Sequence, residues 1–235
     1  MTKIVREELE LEEFAMSGGG CIAVPIQIDA DTEGNTVITV YSRFESEAGE
    51  LSSQFGDLFS PEALGYIDSR FSAPMRKAGY EYEKDFCHTV LNYEAKKGSL
   101  AEIDAADAVF IDTNEKLKEY CKDTSRDFEI DDKDPLDVAF AVIADGKAVS
   151  VASVNDLSDD GAVEINVETA PAYRGRGYGA CAVSKLCAHL LSLGERVTYK
   201  CRETNGASRR VAEKCGLVYR GKTYSYVCYK EEQGE

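Results

Sequence analysis

The sequence predicts an α/β protein of the α+β kind: a mixed, mostly antiparallel central sheet flanked by helices, preceded by a smaller α/β region. Three observations carry that expectation. The 235 residues are 43% hydrophobic and 30% charged, an ordinary globular composition with length for one large domain or two small ones. Short apolar runs alternate with a period of two in some segments and take helical spacing in others. From residue 104 onward the runs come as helix, strand, strand, strand, glycine-rich loop, helix, strand, helix, strand, which packs as a sheet with helices on its faces.

Taken in order, residues 2–16 read as a helix with Leu9, Leu11 and Phe14 on a ragged apolar side, broken by SGGG at 17–20. CIAVPIQID and NTVITVYSRF read as strands around the turn-rich ADTEGN. Ser60 and Pro61 are the cap and first turn of a helix that Pro74 should end or kink. Residues 86–94 read as a strand and KKGS at 96–99 as a linker, so the expected domains are 1–104 and 105–235. Residues 114–123 are helical and 127–137 form an acidic loop. Two strands flank Asp145-Gly146, a strong hairpin signal. A strand at 162–169 follows, then a helix of about 178–193, a strand at 196–202, and a short helix opened by Asn205 and closed by Gly216 as a C-cap. One or two strands finish the chain.

Composition excludes several functions. The net charge is −16, which argues against nucleic acid as a partner. It is unevenly spread: residues 161–235 hold 12 Lys+Arg against 8 Asp+Glu, whereas residues 1–160 hold 15 against 35. No apolar run approaches the roughly 20 residues of a membrane span, and the charged MTKIVREELELEEF has no signal-like core. No membrane association and a cytoplasmic location are therefore expected. Eight cysteines without a CxxC pair suit reduced, mostly buried thiols, and their spacing suggests no metal site.

The basic third contains VETAPAYRGRGYGACAVSKL, residues 167–186. It is not a P-loop, for want of GxxxxGK[ST]. Gly175, Gly177 and Ala180 match GxGxxA literally. Yet APAYR separates them from the strand, and the preceding strands read as antiparallel, which speaks against a Rossmann turn. Glycines opening a helix beside Arg174 and Arg176 suit a phosphate: first-turn N–H groups lack partners, the helix dipole is positive there, and glycine lets the ligand approach closely.

Over about residues 105–230 the chain resembles the GNAT superfamily of acyl-CoA-dependent N-acyltransferases. The resemblance is carried by RGRGYG as an (Arg/Gln)xxGx(Gly/Ala) loop, by Pro171 before it, and by NGASRRVAEKCGL as the Asn-started helix, with Leu217 where relatives have Phe. It implies acetyl-CoA as cosubstrate, with its pyrophosphate on the backbone of Arg174, Gly175, Arg176, Gly177, Tyr178, Gly179 and Ala180. Val167 to Thr169 would bind the pantetheine arm and polarise the acetyl carbonyl, and Asn205 would contact the arm from the other side. The implied reaction is direct acetyl transfer to a primary amine of a small molecule or peptide, an acceptor that an acidic protein would favour as a cation. The alternative is an acyl-CoA sensor of the same fold.

In AVEINVET, Glu164, Asn166 and Glu168 share one face of a strand. Glu168 or Glu164 is the candidate general base, directly or through water. Relatives often carry a tyrosine seven residues after the helix-opening asparagine; here that residue is Ala212. Tyr173, Tyr224 and Tyr226 are near in sequence, and no spacing selects one. Cys201 reads as a buried structural thiol rather than a nucleophile. His88 and His189 receive no role. The first 100 residues are open to three roles: a decayed second unit, a lid, or a dimerisation module that would make the protein a homodimer.

Overall fold

A computed structural model describes residues 1–7, 14–16, 20–83, 86–121, 128, 138–157 and 160–231. They form two compact units: Met1–Leu91 with Gly221–Glu235, and Asn92–Arg220. The division thus differs from the expected 104/105 at both ends. The last strand returns to the first unit because it ladders onto a strand of that unit from Gly221 to Glu231.

In the first unit, β1 (Thr2–Glu7), β4 (Thr36–Tyr41), β3 (Gly20–Asp31) and β12 (Val218–Glu231) lie in that order, with β2 (Phe14–Met16) on β3 and β5 (Glu81–Tyr82) on β12. The helix expected over 2–16 is replaced by β1 and β2 where it is described; its residues 8–13 lie outside the described residues, as do Ser17–Gly19. Thr2, Ile4 and Val5 are β-branched, and β1 pairs in parallel with β4 along its whole length, so sheet pairing overrides a weak helical pattern. Helices α1 (Glu45–Gln54) and α2 (Pro61–Lys77) cover one sheet face, burying Ala48, Leu51, Ile67 and Phe71 against Ile26, Ile28, Ile38 and Tyr226. Helix α1 buries only Ala48 and Leu51, too narrow an apolar stripe to mark a helix in the sequence. Ser60 caps α2 as expected, accepting from the Ala63 N–H at 3.2 Å. The helix runs three residues past Pro74.

In the second unit the order is β6 (Thr89–Ala95), β11 (Val197–Arg202), β10 (Val163–Thr169), β9 (Lys147–Leu157), β8 (Ala139–Ala144) and β7 (Ala108–Ile111). Strands β10 and β11 run parallel, and β7 to β10 run antiparallel. Asp145 (φ 52°) and Gly146 (φ 72°) form the expected turn of the β8–β9 hairpin, both with the positive φ a type I′ turn demands. Helix α3 (Asn114–Tyr120) is capped by Thr113, and α4 (Tyr178–Ser192) packs on β8, β9 and β10. Helix α5 (Gly206–Lys214) packs on β11 and α4. Of the acidic loop at 127–137, only Phe128 is among the described residues. The linker expected at 96–99 is a turn, and the chain after it is tied down: the Ala101 N–H donates to the Cys215 carbonyl at 2.9 Å, and the Ser184 hydroxyl donates to the Ala101 carbonyl at 2.6 Å.

Candidate active site

Two local features open a cleft in the second unit. The β10–β11 ladder holds only Val163, Glu164 and Ile165 against Val197, Thr198 and Tyr199. Beyond those pairs β10 runs on to Thr169 and β11 to Arg202, so the two strands part and leave backbone edges without a strand partner between them. The β9–β10 register slips at the same level: Glu164 faces Asp156 and Ile165 faces Val154, leaving Asn155 as a bulge that re-aims the side chains around it.

The cleft beside this parting has a volume of about 580 Å³ and is lined by the end of β10, the glycine loop and one side of α5. Val167, Glu168, Thr169, Arg174, Gly175, Gly177, Gly179, Ala180 and Asn205 all line it, so the structure brings together most of the residues singled out from sequence. The loop takes its shape from glycine. Gly175 (φ 78°) and Gly177 (φ 89°), the N-cap of α4, occupy the left-handed region, which costs other residues about 1–2 kcal/mol. A Cβ at Gly179 would stand 3.1 Å from Thr169 Oγ1 and 3.6 Å from Val211 Cγ2. The absence of a side chain there lets α4 approach β10 and presents its first-turn N–H groups to the cleft.

The two loop arginines part company. Arg174 lines the cleft and donates from Nε to the Thr169 carbonyl at 3.1 Å. Arg176 stacks over the Tyr173 ring at 5.3 Å, donates to the Ala172 carbonyl at 3.2 Å, and is not among the lining residues, nor is Tyr178. Thr169 Oγ1 shares a 2.8 Å hydrogen bond with the buried Ser150 hydroxyl, which also donates to the Glu168 carbonyl. That pair fixes the end of β10.

The carboxylates also differ. Glu168 is exposed and lines the cleft. Glu164 does not line it; its side chain is 20% exposed and ion-paired to Lys200 at 2.6 Å. Between them, Asn166 accepts from the Ser153 hydroxyl at 2.8 Å. Val167 and Thr169 point toward Gly179, so Glu164, Asn166 and Glu168 occupy the opposite face of the strand.

On α5, Asn205 is the N-cap, its Oδ1 accepting from the Ser208 N–H at 3.1 Å. Ala212 is fully buried and does not line the cleft. Tyr224 and Tyr226 belong to the core of the first unit. Tyr199, buried on β11, has its phenol pushed up to about 12 by desolvation, opposed by a hydrogen bond to Ser208. Burial likewise raises the Cys201 thiol, which keeps it protonated and a poor nucleophile at neutral pH. His189 packs its ring against Phe110 and Phe140.

Ala207, Ser208, Arg210, Val211 and Lys214 also line the cleft and were not singled out from sequence. Steps of three and four from Asn205 and Ala207 put most of them on one side of the helix, a signal present in the chain. Among the described residues no three His, Cys, Asp or Glu side chains converge as a metal site, and no helix is long and apolar enough to cross a membrane.

Comparison with known proteins gives the lineage of this arrangement. The family model for the acetyltransferase (GNAT) domain matches residues 100–218, just over half of the chain. No curated protein matches significantly. Among solved structures, the chain is similar to a GCN5-related N-acetyltransferase from Kribbella flavida, with 17% identity, 74% of this chain and 76% of that one covered, and a TM-score of 0.45. It is also similar to a GNAT-family acetyltransferase from Colwellia psychrerythraea (14%, 71% and 75%, 0.47). A GCN5-related N-acetyltransferase-like protein from Streptococcus suis is matched over 92% of this chain and 89% of that one, with 17% identity and a TM-score of 0.46. The chain belongs to the GNAT family of acetyltransferases.

Proposed function

We propose that this protein is an N-acetyltransferase that passes the acetyl group of acetyl-CoA to a primary amine by direct transfer in a ternary complex. The observation that carries the reading is the parting of β10 and β11 directly beside a glycine-capped helix N-terminus in one cleft.

The residues present fit the cosubstrate. The first-turn N–H groups of α4 and the bare backbone at Gly175 and Gly177 suit a diphosphate, with Arg174 adding charge. The backbone of Val167 to Thr169 suits an amide-bearing arm, and Asn205 lines the same cleft. Bound acetyl-CoA would supply the thioester. In transfer the amine nitrogen bonds the carbonyl carbon and the carbon–sulfur bond breaks. Glu168, exposed in the cleft, takes the proton the amine must lose, directly or through water. Glu164 is the poorer base, because accepting a proton would break its ion pair with Lys200. Backbone N–H groups at the end of β10 stabilise the oxygen as charge develops on it. We place the protein in the cytoplasm: eight cysteines without a CxxC pair suit the reduced thiols of a reducing compartment.

The test is a melting-curve titration with acetyl-CoA, CoA and NAD, followed by thiol release from acetyl-CoA with a panel of primary amines. A ligand specific for the folded state at a hundredfold over its Kd stabilises by about 2.7 kcal/mol. A shift with both CoA species and none with NAD, with amine-dependent thiol release, is expected. No shift with either CoA species would refute the reading.

A further inference from the structure

We propose that Lys214, reaching from the last turn of α5, is a direct ligand of the cosubstrate's diphosphate and contributes more to its binding than the loop residue Arg176. This rests on the reading of the cleft as an acetyl-CoA site. Three observations carry it.

The first is position. Lys214 lines the cleft, and its Nζ lies 2.9 Å from where a Cβ on Gly177 would be. Gly177 is the N-cap of α4. The ammonium therefore stands over the helix end whose N–H groups would hold the phosphates.

The second is electrostatic. A cation is repelled by the positive end of a helix dipole. Arg174 and Arg210 line the same cleft, and the only carboxylate among the lining residues is Glu168. Among the described residues Lys214 makes no ion pair, unlike Lys116, Lys185 and Lys200, each of which has a carboxylate partner. Three cations and a helix N-terminus converging on one space are mutually unfavourable until an anion of more than one charge enters, and then all four act on it together.

The third is Arg176 itself. Its guanidinium is committed to the Tyr173 ring and the Ala172 carbonyl, away from the lining residues. The loop thus supplies backbone N–H groups and Arg174, and the further positive charge comes from the other helix.

The experiment measures binding, not turnover. Isothermal titration with inorganic pyrophosphate and with acetyl-CoA is done on the wild type, Lys214→Met, Lys214→Arg and Arg176→Met, with melting curves to confirm folding. Loss of one charge-assisted contact predicts roughly tenfold or more weaker binding of both ligands by Lys214→Met, with a shallower salt dependence. Lys214→Arg keeps the charge and recovers most of the affinity, and Arg176→Met loses less than Lys214→Met. Pyrophosphate and acetyl-CoA binding unchanged in Lys214→Met, or a larger loss in Arg176→Met, overturns the inference while leaving the acetyl-CoA reading standing. A wild type that binds neither ligand overturns both.

Discussion

Gly216→Ala should cost far more than the same substitution at Gly194, although the two glycines play the same local role. Each follows a helix in the left-handed region, Gly194 at φ 91° after α4 and Gly216 at φ 70° after α5. Each closes the same pair of terminal hydrogen bonds. The Glu195 N–H donates to the Leu190 carbonyl and the Gly194 N–H to Leu191; the Leu217 N–H donates to the Ala212 carbonyl and the Gly216 N–H to Glu213. This is the Schellman cap, which favours glycine. Alanine at either site therefore pays the left-handed strain of about 1–2 kcal/mol. At Gly194 nothing lies within 4 Å of the added Cβ, whereas at Gly216 it would meet the Ser99 carbonyl oxygen at 2.1 Å. That atom is backbone and cannot swing aside. The 99–101 segment must move, and the Ala101 N–H bond to Cys215 goes with it, at about 0.5–1.5 kcal/mol for the bond alone. Urea midpoints at constant m should place Gly216→Ala about 1–2 kcal/mol or more below Gly194→Ala. In the melting curve that gap is about 2–8 °C for a chain of this size. Equal losses, within about 0.5 kcal/mol, would show that Ser99 does not brace the cap and would refute the reasoning.

Other substitutions probe the cleft. Gly177→Glu puts a carboxylate where the diphosphate is proposed to sit and adds left-handed strain; a folded variant should show no CoA-induced shift in its melting curve. Glu168→Gln should lower turnover at neutral pH by about a hundredfold or more with CoA affinity unchanged by titration; an equal rate would remove Glu168 as base. The buried Cys215 thiol, whose Sγ donates to the Ala180 carbonyl, is pushed by desolvation from 9.0 up to about 12. Above pH 9 the unfolded thiol loses its proton while the folded one keeps it, so stability falls as pH rises from 9 toward 12. By pH 10 this contribution is about 1.4 kcal/mol, and unfolding curves at pH 7 and pH 10 should diverge less in Cys215→Ala than in the wild type.

The sequence by itself determined the local elements whose causes are local. Asp145-Gly146 specified its hairpin because both positions need positive φ. Ser60 and Pro61 started α2, and Asn205 and Gly216 bounded α5, because caps and left-handed turns depend on one or two residues each. The spacing of Arg174, Gly177 and Gly179 before a helix marked the loop, since helix N-termini and bare amides act over the same few residues. What depended on distant partners was decided only by the tertiary structure. Thr2–Glu7 became a strand because β4 offered it a full ladder. The last strand joined the first unit because β3 pairs with it over its length from Gly221 to Glu231. Glu164 and Glu168 are alike along the chain, and only folding tells them apart: Glu168 is exposed and lines the cleft, whereas Glu164 lies outside it, ion-paired to Lys200 on the neighbouring strand. Lys214 is an ordinary helix-end lysine in the sequence, and only folding lays its ammonium over Gly177. Electrostatics and packing act through space, so residues 37 positions apart in the chain show their shared role only once the helices that carry them are brought together.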